Sequence, residues 1–241
     1  MIQKTINTIE KTLANADLPD FTKRMLASVK KELEMCEHCK SCRAENQKKA
    51  NLVKKRKLQI GCGKNCLKDF VNLDICEPAD IIWDVRNGLP FKDNMFDVIF
   101  SEHFLEHIDF PNSVCFFIEE AYRVLRKNGK MIVGIPDTGV LLQAYGQHNN
   151  AFFEELIHRW YSSRDCLEFM DSPMNCVNYH MRDQLYHHKY SPHLWGYDEE
   201  NLTNLLKRYN FSNIHRWQVN EKWVNPKRVW GSLYLVGEKN V

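Results

Sequence analysis

Three stretches of this 241-residue chain carry residue types at spacings that could do chemistry. The first is Leu58-Gln59-Ile60-Gly61-Cys62-Gly63. An apolar run that ends in Gly-x-Gly and leads towards a helix lets backbone approach a ligand with no Cβ in the way. In an open α/β sheet such a first turn sits at the crevice outside the strand C-termini, where ligands bind. A dinucleotide fingerprint would need a third glycine where Cys66 stands, and an acid about 20 residues on, whereas Asp74 comes sooner. A P-loop needs Gly-Lys-Ser/Thr after four residues, and nothing here matches. What remains is an adenosine-containing ligand without a pyrophosphate. Asp74 would accept hydrogen bonds from the ribose hydroxyls, and Asp84 would meet the adenine edge. A helix cap or turn is an equally good use for either aspartate.

The second stretch is Ser101-Glu102-His103-Phe104-Leu105-Glu106-His107. His103-x-x-Glu106-His107 matches the inverted zinc-peptidase motif, and on a helix positions 103 and 107 would share a face. That motif needs a long helix and a distant third ligand. Here it follows a strand, so a hydrolase is not the reading taken. The third stretch is Cys36-Glu37-His38-Cys39-Lys40-Ser41-Cys42, whose cysteines at i, i+3 and i+6 resemble half of a zinc or iron–sulfur site. No second pair at matching spacing completes it, and free thiols along a helix are the plainer reading. His187, His188 and His193 read more simply as surface or pocket histidines than as a further set. The sequence assigns no metal site and requires no metal.

The elements that must position these residues follow from periodicity. Ile2, Ile6, Ile9 and Leu13 recur at helical spacing; after Asp17-Leu18-Pro19 the pattern resumes at Phe21, Met25, Val29 and Leu33. Residues 1–53 therefore read as a helical extension. From residue 57 short apolar strands are predicted at 57–61, 70–74, 80–84, 97–101 and 130–135, with a helix at 112–126 closed by Asn128-Gly129. Strands alternating with helices indicate a parallel sheet covered on both faces. Residues 139–197 are aromatic, His-rich and irregular, and read as an inserted lid whose aromatic side chains mostly form its own core. A helix at 198–209 and two antiparallel edge elements at 214–219 and 229–236 close the chain.

LQIGCG, VNLD, IIWDVRNGLPF, DNMFDVIFSEHFLEHI and EEAYRVLRKNGKMIVGIPD together resemble class I S-adenosylmethionine-dependent methyltransferases, close to the branch labelled methyltransferase type 11. The resemblance runs from about Lys57 to Asp137 and resumes over 198–237. It implies a Rossmann-like, doubly wound α/β fold: a mostly parallel seven-stranded sheet with an antiparallel edge strand, in a methyltransferase domain over 54–241. It implies S-adenosyl-L-methionine as methyl donor, held by Gln59, Gly61, Cys62, Gly63, Asp74, Ile75, Asp84, Val85, Ser101, Glu102 and His103. Gln59 stands where this family usually has an acid. Residues 101–103 would line the pocket near the methyl group, with His103 the first choice for a general base and His107 and Asp137 behind it.

Composition bounds the rest. Hydrophobic residues are 44% and charged residues 27%, so a core can form and a disordered tail is excluded. No apolar run is long enough for a membrane span. An odd count of nine cysteines and no apolar leader suit reduced thiols in the cytoplasm. Between Lys40 and Lys57 eight basic residues face one acid, leaving 25 basic against 30 acidic residues elsewhere. Three functions are open: methylation of a small molecule or glycan, O-methylation ahead of N-methylation; RNA modification using the basic segment 40–57; and a non-catalytic donor-binding or scaffold role. The N-terminal helices would pack on the main domain or mediate self-association as a homo-oligomer.

Overall fold

The change of pattern at residue 57 is where the sheet begins. The computed structural model describes residues 1–14, 17–161, 170–182 and 192–240. Its strands are β1 (Lys57–Ile60), β2 (Val71–Asp74), β3 (Ile81–Ile82), β4 (Phe96–Glu102), β5 (Leu125–Pro136), β6 (Phe211–Arg216) and β7 (Ser232–Lys239). They form one sheet in the order β3-β2-β1-β4-β5-β7-β6. β1 to β5 pair in parallel, and β7 runs antiparallel to both β5 and β6. The antiparallel strand expected from the sequence is thus β7, lying one in from the edge with β6 outside it.

Side chains alternate between two faces, as the period of a strand requires. Leu58, Ile60, Ile99, Met131, Val133, Ile135, Leu233 and Leu235 belong to one buried cluster, which α3 (Asn112–Val124) and α7 (Glu199–Arg208) complete with Val114, Phe117, Ile118, Ala121, Leu202 and Leu206. Phe70, Phe100, Ile132, Tyr234 and Val236 form a second cluster, packed against Trp217, Val219 and Trp223. Asp198 caps α7, accepting from the Asn201 amide at 2.8 Å.

Three expectations change. The helix over 112–126 stops at Val124, because Lys239 reaches in from β7 and donates to the carbonyls of Tyr122 and Leu125 at 2.8 Å each. Asn128-Gly129 is instead a turn within β5, with Asn128 in the left-handed region at φ 64°. Most of the described part of 139–197 is helical rather than irregular, with α4 (Thr138–Gly146), α5 (Asn150–Leu156), a π turn at Ile157–Tyr161 and α6 (Pro173–Arg182), while 192–197 is irregular as expected. As expected of its aromatics, Phe153 and Tyr161 are buried there in a cluster with Leu141, Leu156, Cys176 and Val177. Tyr186 and Tyr190 lie outside the described residues. Finally, no helix follows the glycine turn; residues 61–70 form turns and loop.

The N-terminal segment folds as α1 (Ile2–Leu13) and α2 (Asp20–Asn51), joined by an ion pair between Lys30 and Glu10 at 3.0 Å. α2 lies along the outer edge of β3. The Asn46 side chain, 2% exposed, accepts from the Ile82 amide at 2.9 Å and donates to the Cys42 carbonyl at 3.0 Å. It therefore takes the place of a neighbouring strand at an edge that would otherwise present an unpaired donor. The first half of α2 leaves Phe21, Met25 and Val29 exposed at spacings of four. Replacing Asn46 by Leu should cost about 1–3 kcal/mol, the penalty for an unmet buried amide. Urea unfolding of Asn46→Leu against the parent checks this, with Asn46→Asp, which keeps the acceptor, expected to lose less.

Candidate active site

The glycine turn is held by close packing and by side chains of the strands beside it. Gly61 has φ 68° and donates to the Leu73 carbonyl at 2.9 Å. A Cβ on it would lie 2.5 Å from Cδ2 of Phe104, so the Phe104 ring rests directly on the turn. Gly63, at φ 50°, is the opposite case: a Cβ there would meet nothing within 4 Å. Gln59 braces the following loop from both ends of its amide. It donates to the Asn65 carbonyl and accepts from the Leu67 amide, each at 3.0 Å, and Asn72 also accepts from Leu67 at 2.8 Å. The residue expected at the amino end of a ligand is thus engaged in shaping the loop. Cys62 is buried with its Sγ 3.7 Å from that of Cys66, and burial pushes its thiol up.

Asp74 joins this turn to the loop after β2. One carboxylate oxygen accepts from the Gly63 amide at 2.8 Å, the other from the Ile75 amide at 2.7 Å. Asp84 realises the turn-capping use left open by the sequence. It caps the 3-10 turn Val85–Asn87 and forms a fork-to-fork pair with Arg86, at 2.9 Å to Nε and 2.8 Å to the terminal nitrogen. Arg86 also meets Glu32 of α2 at 2.6 Å. The Val85 side chain is in the core, and its carbonyl accepts from the Gly88 amide at 3.0 Å. Cys39 of α2 donates to the Ile75 carbonyl at 3.7 Å, with its thiol pushed up to about 12 by burial. Cys36 and Cys42 turn to Glu32 and to the His38 carbonyl, so the three thiols serve separate acceptors.

The segment after β4 splits its residues between two directions. Ser101 pairs in register with Ile60; its hydroxyl is fully buried without a hydrogen-bond partner among the described residues. Glu102 points to the other face, accepting from Tyr234 at 2.8 Å and from the Asn225 amide at 3.2 Å, and burial raises its carboxyl. His103 reverses the chain at φ 51°. Its amide donates to the Gly134 carbonyl at 2.8 Å, and its Nε2 lies 2.7 Å from Ser232 Oγ. The Ser232 hydroxyl donates to the Arg228 carbonyl, so it accepts from His103, and the His103 lone pair resides on Nδ1. Burial, with Arg228 nearby, holds this imidazole well below its ordinary range.

Leu105–His107 is a single 3-10 turn, not a helix. His103 and His107 consequently do not share a helical face as the peptidase motif requires. Glu106, 2% exposed, sits between them, its Oε1 3.8 Å from His103 Nδ1 and 3.9 Å from His107 Nε2. Asp137 caps α4, accepting from the Val140 amide at 3.1 Å. A small cavity lies beside these groups, lined by Glu106, Thr138, His180, His193, Trp195 and Tyr197. His193 stands among them; His187 and His188 lie outside the described residues. Sequence reading missed Phe104, Arg86, His180 and Tyr197. Of these only Arg86 carried a signal, as a base two residues after an acid at a strand end.

Residues 58–133 match a family model described as a methyltransferase domain. An uncharacterized protein of Methanocaldococcus jannaschii is 35% identical over 102 residues, covering 37% of this chain and 48% of the other, so the chain spans about half the length of the curated relative it matches. Among solved structures, a SAM-dependent methyltransferase from Methanosarcina mazei aligns at 15% identity over 78% of this chain and 95% of that one, with a TM-score of 0.48. A SAM-dependent methyltransferase from Archaeoglobus fulgidus aligns at 13% identity over 86% and 94%, with a TM-score of 0.41.

The two glycines should respond differently to alanine. Gly61→Ala forces the Phe104 ring aside in addition to the left-handed strain of about 1–2 kcal/mol, whereas Gly63→Ala carries the strain alone. Thermal denaturation should show a clearly larger loss for Gly61→Ala, and Phe104→Ala combined with Gly61→Ala should recover part of it.

Proposed function

Because residues 58–133 match a methyltransferase-domain family model, we propose that this chain transfers the methyl group of S-adenosyl-L-methionine to an acceptor held beneath the insertion, with the oxygen of a small molecule or glycan as the target. The observation that carries the reading is the meeting of an open glycine turn with a strand-end carboxylate. Gly63 has free space where a Cβ would be, and Asp74 binds its amide while keeping lone pairs for ribose hydroxyls. The unpartnered Ser101 hydroxyl lies at the end of the strand beside that turn. These residues fit the donor. Asp74 would hold its ribose, and the backbone of Gly61, Cys62 and Gly63 its amino-acid part. Ile75 and the Val85 backbone would flank adenine, with Asp84 acting through Arg86. When bound, the donor supplies a methyl group on a sulfonium already activated by its charge.

The chain's own contribution is then alignment and proton handling. Fixing an acceptor in line can lower a barrier by about 7–11 kcal/mol in favourable systems. The cavity between Glu106, Thr138 and the insertion is where an acceptor would sit. His103 Nδ1, 3.8 Å from the Glu106 carboxylate, carries the lone pair that would take the proton of an acceptor hydroxyl, and Glu106 would stabilise the imidazolium so formed. In this scheme residues 1–53 are an extension outside the methyltransferase domain of 54–241, and 139–197 closes the acceptor side. The exposed stripe of Phe21, Met25 and Val29 supports pairing with a second copy. An RNA substrate gains no comparable support. Of the eight bases between 40 and 57, Lys49 and Arg56 are in ion pairs, Lys55 binds the Phe70 carbonyl, and Arg43 and Lys57 lie over aromatic rings.

Calorimetry with S-adenosylmethionine and its demethylated product should show one site per chain. Asp74→Ala should weaken it by about tenfold or more, as expected for hydrogen bonds to a charged group; an undiminished affinity would remove Asp74 from the ribose. Labelled methyl transfer into fractionated cell extract addresses the acceptor. There, His103→Asn, which tolerates the left-handed backbone, should leave donor affinity within about twofold and lower turnover by about a hundredfold or more. Unchanged turnover would restrict His103 to shaping the turn.

A further inference from the structure

We propose that Glu106, His107 and His193 form a binding site for one divalent transition-metal ion of the zinc type. Each residue offers a ligand atom within 4.8 Å of the other two, and all three are buried or half-buried. The tautomers are set for the purpose. His107 Nδ1 lies 3.3 Å from the Pro192 carbonyl, and His193 Nδ1 lies 2.7 Å from the His180 carbonyl. A carbonyl only accepts, so both Nδ1 atoms carry the proton and both Nε2 atoms present a lone pair. A backbone carbonyl fixing the far nitrogen of an imidazole is the usual support behind a metal-binding histidine. Two imidazole nitrogens and one carboxylate oxygen suit zinc and its neighbours better than magnesium or calcium.

A second observation points into the same space. His180 Nε2 and the Tyr197 hydroxyl, in residues 3% and 1% exposed, have no hydrogen-bond partner among the described residues. Both residues line the cavity that Glu106 and His193 also line. Three protein ligands leave a zinc ion one open position. A ligand there would face polar groups that the protein itself does not satisfy. Metal–donor bonds of about 2.0–2.2 Å at tetrahedral angles set donors about 3.4 Å apart, so loading asks only for side-chain shifts of about 1 Å. The set joins the turn after β4 to the stretch 192–195, which already bond through the Leu194 amide and the Glu106 carbonyl at 2.7 Å.

The test uses the full chain, stripped with a chelator and titrated with Zn²⁺ by calorimetry and with Co²⁺ by visible absorption. One ion per chain is expected, at about micromolar affinity or tighter. The Co²⁺ form should show ligand-field bands without the intense near-ultraviolet band of a thiolate complex. His193→Ala and His107→Ala should each weaken binding at least about a hundredfold, while a Cys36→Ser/Cys39→Ser/Cys42→Ser chain should bind as the parent does. If His193→Ala does not fold by circular dichroism, His193→Gln, which can still donate to the His180 carbonyl, makes the same test. No bound ion in the folded chain would overturn the proposal, as would binding that survives loss of His193 or that disappears with the cysteines. Methyl-donor affinity is read separately in the same samples, because the metal site does not rest on that function.

Discussion

The contact between the Phe104 ring and the bare Cα of Gly61 is the constraint on which both halves of the site depend. It locks the loop after β1 to the loop after β4 at a separation no side chain at 61 would permit. On one side this fixes the turn that Asp74 ties to β2. On the other it sets where the chain goes next, into Leu105–His107, and so where Glu106 and His107 face. The left-handed His103 between these points is held by the Gly134 carbonyl of β5 and by Ser232 of β7. Three strands thus position one reversal of the chain, and the reversal positions the histidines.

The N-terminal helices are outside the matched family segment but not outside the architecture. α2 closes the β3 edge through Asn46, places Glu32 on the Arg86–Asp84 pair and sets Cys39 on the Ile75 carbonyl. The wall of the crevice beside Ile75 and Asp84 is therefore built partly from residues that precede the matched segment. Arg86 couples the two: it neutralises Asp84, and its remaining donor reaches the helix. A segment that reads as an appendage in sequence is a structural neighbour of the loops after β2 and β3.

Much of the frame was legible in the sequence because its signals are local. Strand runs, the Asp17-Leu18-Pro19 break and the Asp198 cap act within a few residues of where they are read. What was not legible depends on partners far along the chain. Lys239 ends α3 from more than a hundred residues away, which no C-terminal stop signal encodes. Gln59 stands at a ligand position of the motif, and its further bonds to the Asn65 carbonyl and the Leu67 amide are ones that no spacing reveals. His193 could not be set beside Glu106 and His107 from spacing, since a long insertion separates them. The irregular reading of that insertion failed because aromatic and histidine-rich composition masks helical periodicity.

The insertion's separate core has an energetic consequence. Phe153, Leu156, Tyr161 and Cys176 pack among themselves and with Leu141, apart from the cluster beneath the sheet. Cooperative units of this kind open sub-globally at free energies below that of full unfolding. Excursions of α4 and α6 would then open the cavity lined by Thr138 and His180 while the strand-end loops keep their shape. The frequency of such openings would follow the solvation of one small aromatic cluster, and changes confined to that cluster would leave the glycine turn as it is.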